Sequence, residues 1–455
     1  MKVKNKKILV IGMGKSGVGA AHLLKDGGAR VVIAERKEDE EKKKKAAQLL
    51  KEDIDVVLGP HPGKLLQSQE LIIVSPGVPL NIPLLQEARR VNIPIIGELE
   101  LAFHFLKNQS LVAVTGTNGK TTTARLSAKF LRKAGKDVNL AGNEWTPLSE
   151  VVKKKSEIII VEVSSFQLET VKDFSPYISC ILNITPDHLD RHREMEKYIE
   201  IKSRIFLRQR KNDFVILNKD DPYAYSLAKL VKSKVIFFSQ REKLREGVFL
   251  EGDNIISRFK KEEKLISLKE IRLPCPHNIE NILASIAISS LYEVNREPIR
   301  KVLKEFKGLP HRAEFVANIR GVKFIDDSKA TNEAAVRKSL SSIQSPIILI
   351  MGGKDKGANF SSLREKVKER VKKLILLGSS KKKIKKEFLN VCPLVEVENL
   401  KEAVKVAFKS ADNGDCVLLS PGCASFDQFA NYKERGEIFQ REVKKLREEI
   451  ERKNS

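Results

Sequence analysis

Nine residues, Thr115-Gly116-Thr117-Asn118-Gly119-Lys120-Thr121-Thr122-Thr123, concentrate two glycines, one lysine and a run of hydroxyls. They follow the apolar run LVAV and precede a helical pattern that begins near Thr121. A strand, a glycine loop and a helix start in that order make an anion cradle. Gly116 and Gly119 let the backbone approach and turn its N–H groups inward, and the helix N-terminus adds positive potential. Lys120 is placed to reach β- and γ-phosphates and Thr121 to put its hydroxyl on Mg²⁺. A plain glycine turn with an exposed lysine does not account for Gly-Lys-Thr in this setting. The loop is tighter than the common GxxxxGK[ST] form, so an ordinary NTPase is not implied.

Two other strand ends carry chemistry. EIIIVEVSS places Glu162 at the carboxyl end of an apolar strand, where a Mg²⁺ ligand beside a phosphate loop belongs. ISCILNI runs into TPDHLDRH, which puts His188 at another strand end as a second candidate ligand. In the helical stretch EMEKYIEIKSRIF, Lys202 follows Tyr198 by four residues and Met195 by seven and shares their face. A lysine directed inward must snorkel, find a partner or lose its charge, and beside a metal site chemical modification of a neutral amine enters the choice.

Near the N-terminus, VIGMGKSGVG spaces Gly12, Gly14 and Gly17 as GxGxxG after a strand, and Glu35 ends the next strand. That is the fingerprint of a Rossmann-type nucleotide site, with the acid placed for a ribose. A dehydrogenase would use it for NAD, a ligase for another nucleotide.

The elements that must hold these residues alternate between apolar strands and amphipathic helices over 455 residues, which predicts an α/β protein of several domains. The expected division is 1–98, 99–307 and 308–455. The first is Rossmann-like. The second is a P-loop ATPase-like parallel sheet with a small antiparallel part near Gly247 to Leu273, and the third is again Rossmann-like. The five cysteines, Cys180, Cys275, Cys392, Cys416 and Cys423, are scattered and never in CxxC spacing, so reduced thiols are expected. The net charge of +25 sits largely in lysine runs without interleaved aromatics, which speaks for solvated helix faces rather than nucleic-acid binding. Lys and Glu richness also suits a thermophile. No apolar stretch is long enough to span a bilayer, and the N-terminal KILVIG reads as a first strand rather than a signal peptide. A cytoplasmic protein without membrane insertion is expected.

Taken together, the motifs resemble those of the Mur ligases of bacterial cell-wall synthesis, over nearly the whole chain. The resemblance rests on GxGxxG with SPG (Ser75 to Gly77), TGTNGKTTT, VEVSSFQLE, NITPDHLDRH, HNIENILA, GLPHRAE, DDSKATN, GGKDKG and SPGCASFDQF. The last four favour the D-glutamate-adding member, and the DNPR-type motif of the diaminopimelate- or lysine-adding one is absent.

The resemblance implies ATP-dependent amide formation between UDP-N-acetylmuramoyl-L-alanine and D-glutamate through an acyl phosphate, in a monomer using two Mg²⁺ ions. It implies that Gly14, Lys15, Ser16, Glu35, Lys37, Ser75, Gly77 and Asn143 meet the UDP substrate. ATP would meet Gly116, Thr117, Asn118, Gly119, Lys120, Thr121 and Thr122, with Asn278 and Asn281 near the base and His311, Arg312 and Asp327 closing over it. Thr121, Glu162, His188 and a carbamylated Lys202 would serve the metal; Lys120, His188 and Lys202 are the catalytic candidates. Lys329, Thr331, Lys356, Ser425 and Tyr432 would hold D-glutamate. The sequence departs from the family's GN-x-G segment at Gly142-Asn143-Glu144-Trp145-Thr146-Pro147, has Glu35 where Asp is common, and has Tyr432 where Phe is common.

Three other readings rank lower. A folylpolyglutamate-type ligase lacks an N-terminal nucleotide domain of this kind. An NAD(P)-dependent oxidoreductase fused to an ATPase-like module would explain only the first glycines, and a basic nucleic-acid-binding scaffold only the charge.

Overall fold

The structure, a computed structural model, describes residues 1–61, 63–259, 261–271, 277–306, 308–355 and 357–452, and the backbone alone at 190, 277 and 278. It divides into two compact units. The first comprises 1–184, 198–268 and 280–302, and the second 185–197, 269–279 and 303–455. Among the described residues no helix is long and apolar enough to cross a membrane.

The first unit holds two sheets. One is built from β1 (Lys7–Ile11), β2 (Arg30–Glu35), β3 (Asp55–Leu58), β4 (Leu71–Val74) and β5 (Ile95–Gly97), ordered β3-β2-β1-β4-β5 and parallel throughout. Val, Ile and Leu fill β1 and β4 because helices cover both faces of such a sheet. Strand order reverses direction between β2 and β4 on either side of β1, and the glycine loop leaves the carboxyl end of β1 at that switch point.

The other sheet contains β6 (Ser110–Thr115), β7 (Val138–Gly142), β8 (Ile158–Glu162), β9 (Ile178–Ile181), β10 (Phe214–Asn218), β11 (Lys234–Ser239), β12 (Gly247–Glu251), β13 (Asn254–Arg258) and β14 (Glu262–Ser267). Its order is β14-β13-β12-β11-β10-β9-β6-β8-β7. All pairs from β7 to β12 are parallel, and the last two, β12–β13 and β13–β14, are antiparallel. The expected antiparallel part is thus present and forms the edge of the main sheet, because β12 pairs directly with β11.

A short helix, Glu98–Phe103, leads from the first sheet to the second. Its Glu100 carboxylate is buried and accepts the backbone N–H groups of Lys172, Asp173 and Phe174 at 2.9, 2.8 and 3.1 Å. Glu98 accepts the Ser149 N–H at 2.6 Å, and burial raises its pKa. These two buried acids serve as anchors between the sheets of the first unit, where apolar contact alone would not fix an orientation.

The second unit is a six-stranded sheet of β15 (Glu314–Ile319), β16 (Val322–Asp326), β17 (Ile347–Gly352), β18 (Val371–Leu377), β19 (Leu394–Glu396) and β20 (Cys416–Leu419). The order is β15-β16-β20-β17-β18-β19, with only the β15–β16 pair antiparallel. Apolar cores lie on both faces. One gathers Leu400, Val404, Phe439 and Val443 from two helices, and the other gathers Val336, Leu340, Ile384 and Phe388. Strands β3, β7, β15 and β19 are absent from the sequence reading; they are short, partly polar or only half buried, which blunts the apolar-run signal.

Candidate active site

In the first unit, β6 ends at Thr115 and the helix Lys120–Lys133 begins one residue earlier than the sequence reading places it. Gly119 between them has φ of +87°, and a Cβ there would lie 2.0 Å from Asn281 Oδ1. Only glycine fits. The loop backbone is held by Asn183, which the sequence reading did not single out. Its carbonyl accepts the Thr117 N–H at 2.9 Å and its Oδ1 the Asn118 N–H at 2.9 Å, while its amide donates to the Asn118 carbonyl at 3.3 Å. Asn281 braces the other end: Thr123 Oγ1 donates to its Oδ1 at 3.4 Å. The Lys120 ammonium lies across the loop, donating to the Gly116 and Thr117 carbonyls at 2.9 Å each. Thr121 and Thr122 are buried in the first helical turn.

Glu162 closes β8 and stands in register with Val114 of β6 on one side and Gly142 of β7 on the other. Its carboxylate is 1% exposed; Oε1 accepts the Asn143 amide at 3.2 Å, and Oε2 is buried without a hydrogen-bond partner among the described residues. A buried carboxylate oxygen left open costs folding energy, on the order of 1–3 kcal/mol, unless a cation or proton meets it. The Glu144-Trp145 departure leaves this arrangement standing. The Asn143 N–H still bonds the Glu162 carbonyl at 3.0 Å, and Trp145 lies 6.0 Å from the Arg125 guanidinium on the phosphate-loop helix.

Lys202 is 1% exposed, with its Nζ 4.6 Å from the centre of the Tyr198 ring. The Tyr198 hydroxyl in turn lies 3.4 Å from Thr117 Oγ1. The inward lysine, the tyrosine and the phosphate loop thus form one chain of contacts. A metal-binding set fits these residues: one buried carboxylate with an open oxygen, a buried amine able to become a carbamate, and the Thr121 hydroxyl.

At the first sheet, Gly12 has φ of +96° and Ser75 Oγ donates to its carbonyl at 3.1 Å. A Cβ at Gly17 would fall 1.9 Å from that same carbonyl, so the third glycine lets the helix Lys15–Asp26 sit against the loop. Lys15 and Ser16 open that helix, Gly14 caps it, and a Cβ at Gly77 would meet nothing within 4 Å. Glu35 accepts the N–H groups of Met13 at 2.9 Å and Lys37 at 3.0 Å. Burial works to raise its pKa, but those N–H groups and the Lys42 charge outweigh it and hold the carboxyl below its ordinary value. Lys45 Nζ, also missed from sequence, donates to the Met13 carbonyl at 3.2 Å.

In the second unit, His188 has φ of +56°, and Asp187 accepts its N–H at 3.0 Å. Elsewhere in this unit the GLPHRAE turn places His311 Nδ1 2.7 Å from Asp326 Oδ2, with the Gln440 amide 2.8 Å from the same oxygen. Burial would lower the His311 pKa, but the Asp326 hydrogen bond and the charges of Asp326, Glu314 and Glu437 raise it. Arg312, partly buried, follows in that turn. Asp327 is enclosed by Ser339, Ser420 and the Ala313 N–H at 2.5, 3.2 and 3.1 Å.

Lys329 places its ammonium 4.0 Å from the centre of the Tyr432 ring, and its N–H reaches the His311 carbonyl at 3.1 Å. Arg435, buried and not anticipated from sequence, binds Ser328 through Oγ and carbonyl at 2.9 and 2.8 Å and the Cys423 carbonyl at 3.1 Å. It ties the turn of Lys329 and Thr331 to the strand exit that carries buried Ser425. Lys356 and the side chain of Asn278 lie outside the described residues.

A phosphate loop at the carboxyl end of a largely parallel sheet, beside an open buried carboxylate, defines a nucleotide-binding protein of the α/β class. Three family models match in sequence order: "Mur ligase MurD-like, N-terminal domain" at residues 6–97, "Mur ligase middle domain" at 114–289 and "Mur ligase, glutamate ligase domain" at 311–423. A UDP-N-acetylmuramoylalanine–D-glutamate ligase of Koribacter versatilis is 42% identical over 452 residues, spanning 99% of each chain. One of Caldicellulosiruptor bescii is 44% identical over 452 residues, spanning 98% of this chain and 99% of that one. The chain belongs to the Mur ligase family. Among solved structures, a pseudomurein peptide ligase type C from Methanothermus fervidus superposes with a TM-score of 0.63 at 20% identity, over 97% of this chain and 100% of that one. The UDP-N-acetylmuramate-alanine ligase of Thermotoga maritima gives 0.60 at 20% identity, over 97% and 99%. These two show the shared fold.

One prediction follows from Asp327, whose carboxyl burial raises from 3.8 to about 7 against the hydrogen bonds that favour its ionised form. The folded state binds this proton more tightly than the unfolded one, so the stability it contributes is full below about pH 4 and declines up to about pH 7. Denaturation midpoints measured against Asp327→Asn should show the wild type losing ground across that window and no further above it. A constant difference contradicts the assignment.

Proposed function

We propose that the protein joins D-glutamate to UDP-N-acetylmuramoyl-L-alanine at the expense of ATP, through an acyl phosphate, as a cytoplasmic step of peptidoglycan precursor synthesis. The observation that carries the reading is the pairing of a glycine-lysine phosphate loop with the open carboxylate of Glu162 and the buried amine of Lys202. The substrate pair comes from the full-length relatives, whose names state both partners. The proposed division of labour is 1–98 for the UDP substrate, 99–307 for ATP and 308–455 for the amino acid.

The chemistry must bring a carboxylate against a γ-phosphate although both are anionic. In this reading the N–H groups from Gly119 to Thr122, at the loop's end and the helix start, bind the phosphates, and Lys120 exchanges its two loop carbonyls for the γ-phosphate oxygens. Glu162, carbamylated Lys202 and Thr121 hold magnesium, with His188 proposed as a further ligand and two ions as the full complement. When bound, magnesium neutralises charge that develops on the transferring phosphoryl group. Carbamylation requires an uncharged amine, since only that form reacts with CO₂, and Lys202 offers a buried amine beside the tyrosine that touches the phosphate loop. The carboxylate oxygen displaces ADP, giving the acyl phosphate. The neutral amine of D-glutamate then attacks the carbonyl carbon, and the tetrahedral oxyanion collapses to amide and phosphate with loss of a proton. Water must be kept out meanwhile.

Gly14, Lys15, Ser16, Glu35, Lys37, Ser75, Gly77 and Asn143 are proposed for the UDP substrate. Asn278, Asn281, Arg312 and Asp327 are proposed for ATP, and Lys329, Thr331, Lys356, Ser425 and Tyr432 for D-glutamate. A monomer is proposed.

Phosphate release measured with UDP-N-acetylmuramoyl-L-alanine and a panel of amino acids tests the activity. Turnover with D-glutamate alone is expected; turnover with L-glutamate in its place contradicts the reading. Lys202→Ala should lose at least about a hundredfold in kcat and recover in part with added acetate, which supplies the missing carboxylate. Full activity of the variant without acetate contradicts carbamylation.

A further inference from the structure

Asn332 stands between Thr331 and the helix Glu333–Ser342, 5% exposed. Both ends of its side chain are engaged. Oδ1 accepts the Ala335 N–H at 2.9 Å and caps the helix, while Nδ2 donates to Asp187 Oδ2 at 3.0 Å. Asp187 in turn accepts the His188 N–H on Oδ1, and its Oδ2 lies 3.8 Å from His188 Nε2. His188 holds a φ of +56°, a conformation that non-glycine residues adopt at a cost and that needs support from neighbours.

The choice of residue is informative. Ser, Thr or Asp would cap this helix as well. Among these capping residues only asparagine carries its acceptor and its donor on two separate atoms, so Oδ1 caps the helix while Nδ2 reaches a carboxylate. The donor half has no role in the helix; it acts on Asp187 alone. Asp187 and His188 group with the carboxyl-terminal unit, not with the sheet whose strand precedes them. The Asn332–Asp187 bond lies within that unit.

We propose that Asn332 is a positioning residue that ties the turn of Lys329 and Thr331 to the Asp187–His188 corner and thereby sets His188 as a metal ligand. The inference rests on the reading of His188 as a ligand and deepens it. Asn332 touches neither substrate nor metal; it acts through Asp187. The carboxylate held by the amide keeps its other oxygen on the His188 N–H, and that bond fixes the backbone from which the imidazole projects.

The test uses the full chain with ADP present and manganese as a magnetically visible probe of the metal site. Asn332→Asp keeps the cap and sets a second carboxylate against Asp187. It should raise the manganese Kd about tenfold while moving the thermal midpoint by no more than about 3 °C. Asn332→Ser, which caps the helix but cannot reach Asp187, should weaken binding in the same direction. Combining Asn332→Asp with Asp187→Asn re-forms the bond with reversed polarity and should return Kd to within about threefold of wild type. Unchanged manganese binding in both single variants overturns the proposal, as does a loss that the exchanged pair leaves uncorrected. His188→Ala separates the two layers. If it leaves manganese binding intact, the ligand reading itself fails; if it weakens binding while the Asn332 variants do not, the positioning role alone falls.

Discussion

The left-handed backbone at Gly119, pressed against Asn281, is the constraint on which the rest of the molecule depends. An anion can lie against a backbone only where no Cβ intervenes, and here even one carbon would fall 2.0 Å from the Asn281 amide oxygen. The loop is therefore clamped from both sides, by Asn183 at the end of β9 and by Asn281 from the neighbouring helix. A nine-stranded sheet supplies the rigid edge at which Asn183 and Glu162 stand, and the helix His277–Ser290 carries Asn281. Catalysis by positioning demands that rigidity, since phosphoryl transfer leaves the protein little covalent work.

Buried charge separates the working part from the scaffold. Arg435 is as buried as Lys202, and burial brings its pKa down to about 10, yet its donors reach Ser328 and Cys423 and it stays charged at neutral pH. Glu100 likewise spends its carboxylate on three backbone N–H groups. Both are structural solutions to the cost of burying an ion. Glu162 is different, because one of its oxygens is sealed from water and left open. Such a group is a poor stabiliser and a good ligand.

Much of this was legible in the residues, and what was not has identifiable causes. Gly-Lys-Thr after an apolar strand marks its own function because the chemistry is local: glycines, lysine and helix start are contiguous. Lys202 announced itself through helical spacing against Tyr198, and the structure places it inside. Asn183, Asn332 and Arg435 carried no such signal. Each acts on residues distant in sequence, as Asn332 on Asp187 across 145 positions, and a lone asparagine reads as a cap or a turn until its partner is known. The strands β3, β7, β15 and β19 escaped for a related reason, since edge or short strands need little apolar content to pair. Glu35 shows the converse. Its type and spacing fit a ribose acid, while the structure shows its carboxylate already organising the glycine loop through Met13 and Lys37.

The central claim is that the loop from Thr115 to Thr123 delivers the terminal phosphoryl of ATP onto a carboxylate oxygen. The most direct measurement follows ¹⁸O placed in both carboxylate oxygens of UDP-N-acetylmuramoyl-L-alanine during turnover with ATP and D-glutamate. One labelled oxygen should appear in inorganic phosphate for every amide bond formed, and one should remain in the amide carbonyl. Unlabelled phosphate, with amide still formed, would contradict the account.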